Sequence, residues 1–493
     1  MDGPAFAFSN TYARLPGQFH AHVAPTPVSQ PRLLLFNEAL AAELGIERAG
    51  ADAQALADVF AGNRIPDGAE PISAVYAGHQ FGGYSPQLGD GRAILLGEVI
   101  DREGRRRDIQ LKGAGRTPYS RRGDGRAAVG PVLREYLVSE FLHALGIPST
   151  RALAAVATGD RVVRERALPG AVLTRVAASH IRVGTFQYFA AQGDTQALRA
   201  LGEHVLARHY PQARDDPRPY QALLQDFARR HASLVARWMA VGFIHGVMNT
   251  DNMSVSGETI DFGPCAFLEA YDPSAVFSAI DEGGRYAYAN QPWAAQWNLA
   301  RFAEAMLPLL DDDAQRATEF AQSVINAFPA LFEAQWLAAM RAKLGLLEPR
   351  DDDAELIGRL LDAMHAAEAD FTLTFHRLCA AAADPAGGAG PRDLFGDPAA
   401  FDAWATDWTA RLRSEGAPAQ ERHRIMRSAN PALIARNHRV EQAIGRFVED
   451  ADIAPTSALL AALLHPQESS GAAAPFMAPA LPAERVLRTF CGT

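Results

Sequence analysis

The stretch HGVMNTDNMSVSGETIDFG, residues 245–263, decides the fold. His245 and Asn252 stand seven apart, and Asp261-Phe262-Gly263 begins nine residues after Asn252. Loops of the protein-kinase kind combine H-x-D-x-x-x-x-N with a following D-F-G. The Asn amide oxygen and the D-F-G carboxylate are hard donors that hold a divalent cation against nucleotide phosphates. A D-F-G triplet alone arises by chance in a chain this long; the combined spacing does not. The intervening MSVSGETI predicts a short hairpin that returns Asp261 beside Asn252. Asn252 and Asp261 are therefore the expected ligands of Mg²⁺ or Mn²⁺. One position departs from the pattern. Val247 stands where the catalytic aspartate belongs and can neither accept a proton nor bind metal. Asp251 is the nearest carboxylate, so the site is either silent or displaced toward it.

Working outward, the upstream sequence supplies what a bound triphosphate needs. Of 47 basic residues only Lys112 and Lys343 are lysine. The chain is also rich in alanine, which points to a GC-biased genome that replaces Lys by Arg. Lys343, in MRAKLGLLEP, reads as chance. Lys112 ends the strand DIQLK, and Glu135 lies 23 residues later in a predicted helix. Val132, Glu135, Ser139 and Leu142 share one face of that helix. A strand lysine paired with a helix glutamate aims an ammonium at phosphates. Before the strand AILLGEV, Gly89 and Gly91 in QLGDGR let backbone N–H groups approach an anion, with Arg92 beside them. Arg116, Arg121, Arg122 and Arg126 join Lys112 as five cations within fifteen residues. Such a cluster forms a local anion pole in an acidic protein. Arg175 and Arg182, in LTRVAASHIR, suit bidentate phosphate contacts. Lys112-Gly113-Ala114-Gly115 imitates a dinucleotide fingerprint. However, Pro118 fills the third glycine position and a dozen loop residues precede the helix, so that reading fails.

The rest of the chain frames these motifs. With 493 residues, 48% of them apolar, there is ample material for a large core. A formal charge of −10 argues against broad contact with nucleic acid or an anionic membrane. Three cysteines exclude a disulfide scaffold and fit a reducing compartment. No run of eighteen apolar residues occurs, and MDGPAFAFSN lacks the features of a leader. A cytoplasmic protein without nucleic-acid or membrane partners is expected. From about 71 to 178 the texture is strand-like: AILLGEVI and DIQLKGAG joined by a DREG turn, then AVAT, RVVRE and AVLTRV. A helix over about Ala127–Leu145 interrupts, stopped by Gly146 and Pro148. From about 180 onward the pattern is mostly helical, with a low-complexity loop at 379–398. The expected class is α+β, a protein-kinase-like bilobal fold. Its parts are an N-terminal extension (1–70), an N-lobe (71–178), a C-lobe with the metal loop (179–345) and a helical C-terminal extension (346–493).

The long motifs YAGHQFGGYSPQLGDGRA, QLKGAGRTPYSRRGDGRA, HGVMNTDNMSVSGETIDFGPCAF and NPALIARNHRVEQAI resemble the selenoprotein O (SelO) family across almost the whole chain. That resemblance implies a pseudokinase fold and a protein adenylyltransferase, moving AMP from ATP to Ser, Thr or Tyr hydroxyls of protein substrates. It also implies an inverted ATP, with its terminal phosphates buried and its α-phosphate presented outward. By motif position, Gly89, Gly91, Arg92, Lys112, Asp124, Gly125, Arg175 and Arg182 correspond to ATP-binding residues. Glu135 corresponds to the lysine's partner, Asn252 and Asp261 to metal ligands, and Asp251 to the proton acceptor. The alternatives are a kinase transferring the γ-phosphoryl group and a catalytically silent nucleotide-binding scaffold. Cys265 and Cys491 are a candidate disulfide that would latch the tail over the metal loop. A monomer is expected.

Overall fold

The computed structural model describes residues 4–47, 50–383, 390–416 and 418–490. Strand-forming sequence begins earlier than its texture suggests, with β1 (His20–His22) and β2 (Arg32–Phe36). Then follow β3 (Ile72–Ala74), the small hairpin β4 (Gly78–Gln80) and β5 (Gly83–Ser85), β6 (Ala93–Ile100) and β7 (Arg106–Lys112). The later strands are β8 (Ala127–Ala128), β9 (Arg151–Val163), β10 (Ala167–Ala177), β11 (Phe243–Ile244) and β12 (Ala266–Phe267). One eight-stranded antiparallel sheet runs β1-β3-β6-β7-β10-β9-β2, with β8 added onto β10. The span 1–70, read above as an extension, thus supplies both edges of the sheet. With the many helices that follow, the architecture is mixed α+β.

The DREG turn joins β6 to β7 as its sequence predicts. Asp101 accepts hydrogen bonds from the N–H groups of Glu103 (3.0 Å) and Arg105 (2.8 Å). In place of AVAT, RVVRE and AVLTRV as separate strands there are two continuous ones, β9 and β10, turning at residues 164–166. Most of β9 and β10 is buried on both faces, so the alternation that would mark a half-exposed strand is absent.

Register explains how the cations converge. Lys112 lies opposite Leu173, and Arg175 lies opposite Gln110. Successive side chains alternate between faces, so Lys112, Gln110, Leu173 and Arg175 all point the same way. The opposite face carries Ile109 and Leu111, packed with Leu40, Leu56 and Phe60 from the early helices Glu38–Glu43 and Ala53–Phe60. On the Lys112 side lies the helix Val129–Ala144, which ends before Gly146 in a left-handed conformation (φ 70°). Its polar residues are buried with its apolar ones: Arg134, Glu135, Ser139 and Glu140 are all under 7% exposed. Such a helix presents no solvated face and needs partners for every charge. From the C-terminal part of the chain, helices Asn437–Asp450 and Ala454–Leu463 pack back against it through Ile444, Phe447 and Leu460. The main apolar core lies among helices Pro219–Ala240, Gln291–Leu310 and Ala314–Leu344. Among the described residues no helix is long and apolar enough to cross a membrane.

Candidate active site

The stretch that decided the fold is an excursion between β11 and β12, whose pairing (Phe243 with Phe267, Ile244 with Ala266) closes it. The hairpin expected of MSVSGETI does not form. Ser254 instead bridges to Arg182, and Thr259 to Ser149. Val183 N–H donates to Met253 O (2.9 Å), and Thr150 N–H donates to Thr259 O (2.9 Å). Serines 254 and 256 bond to each other and to local backbone, and Gly257 takes φ 82°. Such local side-chain bonding competes with a ladder. The strand partners come from residues 149–150 and 181–183, and Asp261 is still carried back to the loop.

His245 holds the two ends of this excursion together. Its Nε2–H donates to Ile260 O (2.9 Å), while its Nδ1 accepts from Val247 N–H (3.3 Å). Burial lowers its pKa, so the neutral tautomer with the proton on Nε2 satisfies both bonds. Asn252, which lines the cavity, donates Nδ2–H to Val247 O (3.0 Å), a bond that does not use its Oδ1. Val247 itself is buried on the cavity wall.

Asp261 is the hub. It is held at φ 67°, a left-handed conformation that Asp tolerates better than most side chains. Its carboxylate accepts from Lys112 (2.9 Å), from Arg182 (2.8 Å) and from Arg175. Lys112 also donates to Glu135 (2.7 Å), and Arg175 to the other oxygen of Glu135. Burial opposes charge on both carboxyls. Arg175 and Lys112 outweigh it, holding Glu135 below its ordinary value and Asp261 well below. Arg182 further donates to Asp251 O (2.6 Å) and stacks on the Tyr76 ring, with Asp90 3.7 Å away.

Asp251 has the opposite environment. One oxygen accepts from Gln80 (3.0 Å); the other, Oδ1, is buried without a partner. Burial pushes its pKa up to about 6, against the Gln80 bond and Arg182. A carboxylate with one unsatisfied buried oxygen is poised to take a proton. A Cβ on Gly78 would lie 2.5 Å from that oxygen, so the β4 backbone approaches it closely.

Every residue expected at the site lines one cavity of about 830 Å³. Lys112, Glu135, Arg175, Arg182 and Asp261 form its charged wall, with Asp251 and Asn252 beside them. Gly89, Gly91, Arg92, Asp124 and Gly125 line it too. Tyr119 covers the glycine loop, where a Cβ on Gly89 would meet the ring at 2.4 Å. Asp124 chelates Arg164 (2.9 and 3.1 Å), which lowers its carboxyl. Arg116, Arg121 and Arg122 are exposed on the cavity wall, whereas Arg126 donates to the carbonyls of Thr26 and Pro27 (both 3.0 Å). Sequence reading missed Tyr76, Gln80, Asp90 and Arg164. Only Asp90 carried a signal, standing between the two glycines. Cys265 is buried, with its thiol donating to Phe262 O (3.1 Å); Cys491, its candidate partner, lies outside the described residues.

A strand lysine locked to a helix glutamate and to a D-F-G carboxylate over one cavity is how transferases grip nucleotide phosphates. A sequence profile of the family described as protein adenylyltransferase SelO matches residues 5–464. A relative from Rhizobium meliloti (strain 1021), named protein nucleotidyltransferase YdiU, is 58% identical over 99% of this chain and 100% of its own length. Proteins of the same name from Bradyrhizobium diazoefficiens (59% identical) and Methylorubrum extorquens PA1 (58%) each align over 99% of both chains. By class, then, this is an enzyme, a nucleotidyltransferase. The chain belongs to the SelO family of protein adenylyltransferases.

Proposed function

We propose that the chain transfers AMP from ATP to Ser, Thr or Tyr hydroxyls of proteins and releases pyrophosphate. In this reading residues 71–178 and 179–345 are the two lobes of a kinase-like fold, flanked by 1–70 and 346–493. The observation that carries it is the depth of the cations. Lys112, Arg175 and Arg182 are buried at 8%, 2% and 3% exposure, while Asp251 stands beside them across Asp261. Cations this deep suit the terminal phosphates of an inverted ATP, leaving the α-phosphate toward the acceptor. Lys112, aimed by Glu135, and the two arginines stabilise the pyrophosphate as it leaves. Asp251 accepts the proton of the incoming hydroxyl, a role worth about 10²–10⁴-fold. Gln80 fixes which of its oxygens is left without a partner.

The donor set fits Mg²⁺. Asn252 Oδ1 and Asp261 offer one amide and one carboxylate oxygen, and among the described residues no cluster of three His, Cys, Asp or Glu competes. Mg²⁺ takes its remaining ligands from phosphates and water. When bound it offsets charge on the phosphates. ATP labelled at the α- or the γ-phosphate, incubated with the chain and a protein mixture, decides the reading. Transfer from the α position alone is expected. Transfer from γ alone makes the chain a kinase, and transfer from neither makes it a nucleotide-binding scaffold.

A further inference from the structure

Beside Asp251 lies a second surface that the phosphate site does not use. The β4–β5 hairpin turns through Phe81 (φ 50°) and Gly82 (φ 87°), a primed two-residue turn that a phenylalanine adopts only under constraint. That hairpin is tied to the catalytic loop at three points. Gln80 bonds Asp251 (3.0 Å), His79 N–H bonds Thr250 Oγ1 (2.7 Å), and Phe81 N–H bonds Asn249 Oδ1 (3.0 Å). Its outer side is aromatic. His79 packs on Tyr84 and Trp297, and Phe81 packs on Tyr286. Tyr84 and Trp293 are 41% and 50% exposed.

Arg285 stands in the middle of this face. Its guanidinium lies 4.8 Å from the Trp293 ring and 4.7 Å from the Trp297 ring. Stacking occupies the faces of a guanidinium and leaves its N–H edge for a carboxylate. Among the described residues the Arg285 guanidinium makes no ion pair; it reaches the Tyr286 hydroxyl, its backbone N–H donates to Asp281 (2.9 Å), and its buried Nε has no hydrogen-bond partner. Arg301, also over the Trp297 ring, is by contrast paired with Glu304 at 2.5 Å. A guanidinium with no ion-pair partner, stacked on an aromatic shelf next to the hairpin whose Gln80 bonds Asp251, is suited to receive something acidic.

Resting on the transfer reading above, we propose that this face docks the acceptor polypeptide and selects a segment with Asp or Glu close to its hydroxyl residue. The aromatic shelf takes the segment's apolar stem, Arg285 takes the carboxylate, and the hydroxyl is delivered toward Asp251. Two fluorescein-labelled peptides test it, each carrying Ser, Thr and Tyr, one flanked by glutamates and the other by lysines. Their anisotropy is followed as the full chain is titrated, and α-labelled transfer to each is measured in parallel. Wild type is expected to bind the acidic peptide about tenfold more tightly than the basic one, and Arg285→Glu to invert that order. Trp293→Ala weakens the acidic peptide, and ATP binding unchanged in both variants shows that the fold is intact. Equal affinities, no binding of either peptide at millimolar concentration, or a preference untouched by Arg285→Glu overturns the proposal. A preference that inverts while no α-label is transferred leaves the docking face standing and removes the transfer reading instead.

Discussion

Glu135→Gln is the sharpest perturbation of the charged wall. The carboxylate is 3% exposed and bonded to two cations, Lys112 at 2.7 Å and Arg175. A unit pair near 3 Å at an effective dielectric of 20 attracts by about 5 kcal/mol, so two pairs amount to roughly 11. Much of this is returned because the variant no longer desolvates a charge, and breaking a buried pair leaves a net loss of about 3–5 kcal/mol. Glutamine keeps an acceptor for one cation but turns an amide N–H toward the other. Lys112 and Arg175 then have only Asp261 between them, until a triphosphate arrives with fresh negative charge. Urea unfolding of the full chain should therefore show the variant about 3–5 kcal/mol less stable without nucleotide. Saturating ATP should close part of the gap, because ligand that binds only the folded state stabilises it and gains more where the cations are uncompensated. Transfer should fall by about 10²–10³-fold as Lys112 loses its aim. A variant as stable as wild type without nucleotide would refute the neutralising role of Glu135. A gap that ATP does not narrow would show that these cations do not hold phosphate.

Asp261→Asn should abolish transfer and the response of ATP binding to added Mg²⁺, while metal-free ATP binds more tightly because no carboxylate repels it; calorimetry with and without EDTA reads both. Gly78→Ala places a methyl 2.5 Å from Asp251 Oδ1 and 2.9 Å from Leu88, so the carboxylate must shift. Transfer should drop by about 10²-fold with the KM for ATP unchanged, and an unchanged rate would show that this oxygen is not used. Lys343 is buried against Phe371 and Phe375, and burial lowers its ammonium to about 7 from 10.5. Between those values the unfolded chain binds more protons than the folded one, so stability rises with pH across this window and is flat below it. Lys343→Met should remove that slope and stabilise the chain by up to about 5 kcal/mol at pH 7, the difference shrinking toward pH 10. Equal slopes in the two proteins would show that Lys343 is solvated.

What the sequence disclosed followed from covalent spacing. His245, Asn252 and Asp261 lie close enough along the chain for their separation to dictate a loop and its return. Lys112 and Glu135 were legible because a strand and a helix each fix which way a side chain points. Arg175 and Arg182 could be suspected, but Arg175 reaches Asp261 through the β7–β10 register and Arg182 sits beside it through its bridge to Ser254, neither of which a local pattern encodes. Gln80 lies 171 residues from Asp251, and its role appears only when the hairpin folds onto the loop. MSVSGETI was misread because turn-like residues between short apolar ones suit a hairpin locally, while its strand partners lie at 149–150 and 181–183. The alanine-rich β9 reads in the sequence as two short strands, AVAT and RVVRE, because burial on both sides erased the alternation that would have joined them.

The outer strands of the sheet set a timetable for synthesis. RLLLF of β2 leaves the ribosome more than a hundred residues before Ala157, its partner in β9, exists. Until then the nascent chain trails an unmated apolar ribbon, and closure must await a contact of long sequence separation, which forms slowly. Trimming the leading forty residues would strip both flanks at once, leaving β3 and β9 to recruit strands from neighbouring molecules and turning the enzyme into a template for its own aggregation.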